Sequence, residues 1–140
     1  MNKIYFQAIY EIITTGHWIT DEVTKTLKEF GVTEPQYNVL KILKGAKGKP
    51  VTVGGILENM VQRSSNITRI VDKLVAKNFA KRTECPTNRR KMDIVITPTG
   101  LSILEKLDKK VQAFHKPYFE KLNSEELETL KNLIQKLKSQ

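Results

Sequence analysis

The sequence predicts a mainly α fold with one small β-hairpin, and three observations carry that prediction. Apolar residues recur at helical spacing along most of the chain. The period changes once, just after Phe79, to two short alternating stretches. Positive charge is concentrated between Arg63 and Lys91, where nine Lys and Arg residues face only Asp72 and Glu84, so seven of the chain's nine surplus charges lie there. With 140 residues, 39% of them hydrophobic, the chain is long enough for one domain with a core that needs no disulfide. Its single cysteine, Cys85, has no internal partner, which fits a reducing compartment.

Residues 4–30 place Ile9, Ile12, Ile13, Ile19, Val23, Leu27 and Phe30 near one helical stripe, with Gly16 a weak point and Gly31 a stop. In the segment TEPQ, Thr33 is an N-cap with Gln36 three positions on, a capping box, and Pro35 is tolerated in the first turn. The helix runs through Tyr37, Leu40 and Leu43 to Gly45, and GAKGKP (45–50) reads as a loop. Thr52 caps a short third helix with Ile56, Leu57 and Met60, weakened by Gly54 and Gly55 but open to close approach by another helix.

Ser64 or Ser65 caps a fourth helix whose apolar side holds Ile67, Ile70, Val71, Leu74 and Val75. Ser65, Arg69, Asp72, Lys73 and Ala76 fall opposite, with Thr68 on the flank. Short side chains admit a close approach, and the cations supply donors for phosphate oxygens or guanine edges. Two helices joined by a tight turn, the second with this face, form a helix-turn-helix. KRTEC (81–85) and KMDIVIT (91–97) then form a hairpin around PTNRR (86–90), with Arg89 and Arg90 at its tip. Thr97 and Pro98 open a long helix striped by Leu101, Leu104, Leu107, Val111, Phe114 and Tyr118, bent or ended near Pro117. Ser124 starts a last helix with Leu127, Leu130, Ile134 and Leu137. The terminal helices have more apolar stripe than a small nucleic-acid-binding core needs, and an isologous dimer would bury the excess.

The order of elements, with RSSNITRIVDKL (63–74), NRR (88–90) and DIVITPTG (93–100), resembles the MarR family of winged helix-turn-helix transcription regulators over nearly the whole chain. The resemblance implies a single domain over residues 1–140. A DNA-binding lobe spans 33–100, and dimerisation helices span 1–30 and 101–140. It implies a cytoplasmic homodimeric repressor, with recognition helices in successive major grooves of a pseudo-palindromic operator and wing arginines in the flanking minor grooves. Ser65, Asn66, Thr68, Arg69 and Lys73 match the recognition-helix positions, and Arg90 matches the wing arginine, with Arg89 beside it. The family often carries Asp where this chain has Asn88, a departure at the residue that orients that arginine. The resemblance also implies a small phenolic or aromatic effector in the crevice between the lobes and the dimer helices, where His17, Trp18 and Tyr37 are the candidates.

Other classes find less support. The N-terminal segment lacks the continuous apolar core of a signal peptide, and no run of about 18 apolar residues occurs, so no membrane segment is expected. His17 and His115 are too scattered for a zinc site, and neither metal nor cofactor is expected. No nucleophile with its base, phosphate loop or dinucleotide turn is present, so the chain is not expected to be an enzyme. Cys85 reads as a small strand filler, although Arg82 nearby could lower its pKa. Peroxide-sensing relatives hold their thiol in the N-terminal helix, where this chain has none. Asp72 reads as the ion-pair partner of Arg69. The alternative to sequence-specific regulation is an architectural protein that uses the same charge without reading bases, and it would bind random and operator duplexes alike.

Overall fold

The computed structural model of the chain describes residues 2–61 and 66–139. Helix α1 (Lys3–Lys28) is capped by Asn2, whose side chain accepts from the Tyr5 N–H, and Gly16 does not interrupt it. Gly31 ends the turn that follows, with φ +68°, a left-handed conformation that glycine adopts without a Cβ penalty. Its position lets the Val32 N–H reach back to the Leu27 carbonyl at 3.2 Å. Leu27 is the one fully buried residue of α1, whereas Ile4, Phe6, Tyr10 and Ile13 face outward.

Helix α2 (Glu34–Gly45) begins with the capping box read from sequence. Thr33 accepts from the Gln36 N–H, and the Gln36 side chain accepts from the Thr33 N–H. Val39, Leu40 and Leu43 make it the centre of the core, together with Ile56 of α3 (Val53–Asn59) and Ile67, Val71 and Leu74 of α4 (Ile67–Ala76). Removing each such side chain from water contributes about 1.5–3 kcal/mol. Thr52 caps α3 through the Gly55 N–H. The two glycines of α3 do not admit another helix. A Cβ on Gly55 would meet Val51 Cγ1 at 3.0 Å, and one on Gly54 only Thr52 Oγ1 at 4.0 Å, so the neighbours belong to the chain's own preceding turn. Ser64 and Ser65, the expected caps of α4, lie outside the described residues, and Asn66 directly precedes the helix.

Strands β1 (Ala80–Cys85) and β2 (Asn88–Ile96) pair antiparallel, Ala80 opposite Ile96 through Glu84 opposite Met92. The loop before α3 adds a bridge that periodicity did not reveal: Val51 and Ile94 exchange both backbone hydrogen bonds at 2.9 Å. Helix α5 (Pro98–His115) follows, capped by Thr97, and ends in a 3-10 turn at Lys116–Tyr118, so Pro117 terminates it as expected. Its start is fixed sterically. A Cβ on Gly100 would lie 2.1 Å from the Phe79 carbonyl oxygen, which accepts the Thr97 N–H at 3.1 Å, so only glycine lets helix and hairpin meet there. Leu104 and Leu107 seal the core from this side.

Helix α6 (Ser124–Lys138) starts where the sequence places it, but its cap is Asn123, which forms a capping box with Glu126. No residue of α6 is buried, and Leu127, Leu130, Leu133 and Leu137 stay 46–57% exposed. An unburied stripe of this length is unusual for a solitary helix, since tertiary packing supplies most helical stability.

Candidate nucleic-acid interface

The polar side of α4 faces outward because its opposite side is locked in the core. Ile67, Val71 and Leu74 are at most 3% exposed, and at about 100° per residue that turns Asn66, Thr68, Arg69, Asp72 and Lys73 to solvent. Of these, Asn66, Thr68, Arg69 and Lys73 are the helix positions named from sequence; the remaining one, Ser65, lies outside the described residues.

The hairpin differs from its expected form in one respect. Its tip is Pro86–Thr87, and both arginines lie within β2 rather than in the turn. The ladder jumps from Glu84 opposite Met92 to Cys85 opposite Asn88, which leaves Arg89, Arg90 and Lys91 as a bulge. A bulge bends a strand and re-aims its side chains, so Arg90 and Lys91 leave the regular pleat. The Asn88 side chain accepts from the Arg90 backbone N–H at 3.0 Å, an Asx turn that fixes the peptide carrying Arg90. A neutral amide oxygen is sufficient for that bond. The side chain of Arg89 lies outside the described set.

Helix and hairpin enclose a cleft of about 360 Å³, bordered by Thr52, Thr68, Arg82, Arg90 and Lys91 above an apolar floor that includes Val71 and Ile94. Arg90 and Lys91, beside an Arg82 whose charge is partly offset by Asp72, attract phosphate over this low-dielectric floor, because field lines concentrate where water is thinned. One of the three is held in place. Asp72 on α4 pairs with Arg82 on β1, not with Arg69 as expected, and so ties α4 to the hairpin. The sequence carried a signal for this. Ala80 and Arg82 are two apart and share the inner face of the hairpin with Ile96 and Ile94, the side that packs on α4.

At the hairpin end, the Cys85 thiol lies 3.3 Å from Thr87 Oγ1. Its pKa is lowered first by that hydroxyl and then by the Thr87 backbone N–H, while the Asp93 carboxylate opposes the shift, so Arg82 is not the cause. Among the described residues, no group of three His, Cys, Asp or Glu could hold a metal ion, and no helix is long and apolar enough to cross a membrane.

The effector candidates separate into two sets. Tyr37 is 8% exposed and donates its hydroxyl to Asp108 Oδ1 of α5 at 2.5 Å. Burial, and then the Asp108 carboxylate, push its ionisation far above the ordinary tyrosine range, so it stays a neutral donor. Trp18 stacks edge-on against Phe114 and Tyr118, with centroids 5.5 and 5.1 Å apart, and His17 is exposed beside it on α1. Among the described residues, no recorded contact joins Tyr37 to His17 or Trp18.

Comparison with known proteins agrees with this geometry. Residues 32–92, which include all but Ile94 of the residues named around the cleft, match the model of the MarR family. Over 110 residues the chain is 33% identical to the uncharacterized HTH-type transcriptional regulator YdgG of Bacillus subtilis (strain 168), covering 77% of this chain and 71% of that one. Over 119 residues it is 30% identical to the HTH-type transcriptional repressor MdtR of the same organism, covering 85% and 76%. In fold it is similar to AbsC, a MarR family transcriptional regulator from Streptomyces coelicolor, with a TM-score of 0.85 at 20% identity over 98% of this chain and 93% of that one. It is also similar to a mutant MarR from E. coli complexed with operator DNA, with a TM-score of 0.79 at 23% identity over 93% and 92%.

Proposed function

Because the chain belongs to the MarR family of winged helix-turn-helix transcription regulators, we propose that it acts as a cytoplasmic homodimeric repressor that reads a pseudo-palindromic operator and releases it on binding a small aromatic or phenolic effector. In this reading residues 33–100 form the DNA-binding lobe, and 1–30 and 101–140 form the dimer base. Ser65, Asn66, Thr68, Arg69 and Lys73 enter the major groove, and Arg89 and Arg90 reach the flanking minor groove. The observation that carries the proposal is the cleft between α4 and the hairpin, where Arg82, Arg90 and Lys91 converge beside Thr68.

The division of labour follows from chemistry. Arg82 and Lys91 in the cleft hold the sugar-phosphate backbone, which sets register but carries no sequence information. Arg69 and Lys73 donate to guanine O6 and N7, and Asn66 pairs with adenine N6 and N7. Arg90 suits a narrow A·T-rich minor groove, where negative potential is concentrated. Two copies must present these groups about 10 base pairs apart, one helical turn, so an effector near His17, Trp18 and Tyr37 would act by spoiling that separation. The chemistry needed is binding alone, with no bond made or broken.

Selection of bound fragments from genomic DNA, followed by anisotropy titration at fixed salt, tests the proposal. The expected result is a two-fold related site bound on the order of 10³ times more tightly than random duplex. Equal affinity for both would leave only charge attraction and end the reading.

A further inference from the structure

Three consecutive residues of α2 each contact a different element. The Gln36 side chain, 3% exposed, lies 3.2 Å from the Lys77 ammonium, which directly follows the C-terminal end of α4 and also donates to the Gly31 carbonyl. Tyr37 donates to Asp108 on α5. The Asn38 side chain accepts from the Val61 N–H at 2.9 Å, on the segment leading into α4. Consecutive helical residues point about 100° apart, so one turn of α2 can address three directions at once.

We infer that Gln36, Tyr37 and Asn38 form a positioning link that fixes the recognition helix relative to α5, and thereby the separation of the two recognition helices in the dimer. The link rests on the dimeric reading above. Apolar packing between α2 and α5, supplied by Leu40, Leu104 and Leu107, is strong but non-directional and tolerates sliding. A buried hydrogen bond is directional and defines one arrangement. The Tyr37–Asp108 bond joins residues 71 positions apart, the widest separation among the described side-chain hydrogen bonds. Its donor stays protonated across the physiological range, and the Lys41 ammonium lies over the ring, 5.3 Å from its centroid. Gln36 then carries the position of Tyr37 to the C-terminal end of α4, and Asn38 carries it to Val61, just after α3. None of the three needs to touch DNA.

The chain's one cysteine provides the probe, since Cys85 lies at the hairpin end of each protomer. Spin labels on Cys85 report the distance between the two hairpins of a dimer without any DNA. The wild type is expected to give one narrow distance distribution, and Tyr37→Phe a broader one. Asp108→Asn alone, which leaves an acceptor for the Tyr37 hydroxyl, is expected to keep most of the wild-type narrowness. In anisotropy titrations, lengthening the selected operator by one base pair between half-sites is expected to cost the wild type about tenfold, and Tyr37→Phe no more than about twofold. Asp108→Ala removes the same bond from the half-buried side and serves if Tyr37→Phe does not fold. A lower melting temperature with unchanged distance width and unchanged spacing preference would make the contact merely structural and overturn the inference. Absence of any inter-label distance would sink the dimeric reading and the link together, whereas an unchanged width in a dimer sinks the link alone.

Discussion

Helices α4 and α6 carry comparable apolar stripes and meet opposite fates. In α4, Ile67, Val71 and Leu74 are closed into the core, whereas in α6 Leu127, Leu130, Leu133 and Leu137 remain about half exposed or more. Both stripes follow the same periodicity, so the difference lies in what lies opposite. Helix α4 packs against α2, α3 and β1 of its own chain, and each of those elements is positioned by a short connection. Helix α6 follows a 3-10 turn, and none of its residues is buried by the chain's own elements. A helix whose stripe is filled by its own chain makes a stable platform, and one whose stripe is not makes an adhesive. The proposed function uses the first for reading DNA and the second for pairing.

Substitution within the two stripes separates those roles. Leu74→Ala leaves a cavity in a closed core and is expected to lower stability by about 2–5 kcal/mol, read as a lower denaturation midpoint at unchanged slope. Leu130→Asp is expected to leave the helical spectrum largely intact while moving the mass seen in light scattering from dimer to monomer, with loss of operator binding. If Leu130→Asp lowered the denaturation midpoint as Leu74→Ala does while the dimer persisted, both stripes would belong to one core.

A smaller effect is expected on the cationic side of the lobe. Arg90→Ala should weaken operator binding about tenfold, the worth of one good groove contact, without changing the denaturation midpoint. Unchanged affinity at fixed salt would remove the hairpin from recognition. The smallest effect concerns Cys85, whose depressed pKa means more thiolate at any given pH than an ordinary thiol has. The pH midpoint of its alkylation rate is expected to lie below that of a free cysteine, and Thr87→Ala should move it upward. A midpoint that stayed where it was in Thr87→Ala would assign the shift to another group.

Legibility in the sequence followed the range of the interaction. The caps Thr33, Thr52 and Thr97 were readable because each contact closes within three residues. Asn123 was readable too, since Glu126 stands at the third position of its capping box, but the adjacent Ser124 is an equally good cap by residue type. The polar, cationic face of α4 was readable because one helix generates it by rotation alone. Contacts between elements were not. Asp72 could have met Arg69 on its own helix, and only the placement of β1 brings Arg82 to it instead. The Val51–Ile94 bridge consists of one residue on each side and so has no period. The bulge at Arg89–Lys91 depends on register, which alternation does not fix at a strand end.

The sequence by itself determined which segments become helices, where most of them begin, that a single hairpin follows Phe79, and which helix presents a cationic face. These are consequences of local sterics and rotation per residue. The tertiary structure decided which stripe is closed and which is left open, that Arg82 shares a cleft with Arg90 and Lys91, and that three neighbours on α2 reach Lys77 at the end of α4, Asp108 on α5 and Val61 after α3. Those outcomes depend on the three-dimensional separation of residues distant in sequence, and that separation is set only once the core closes.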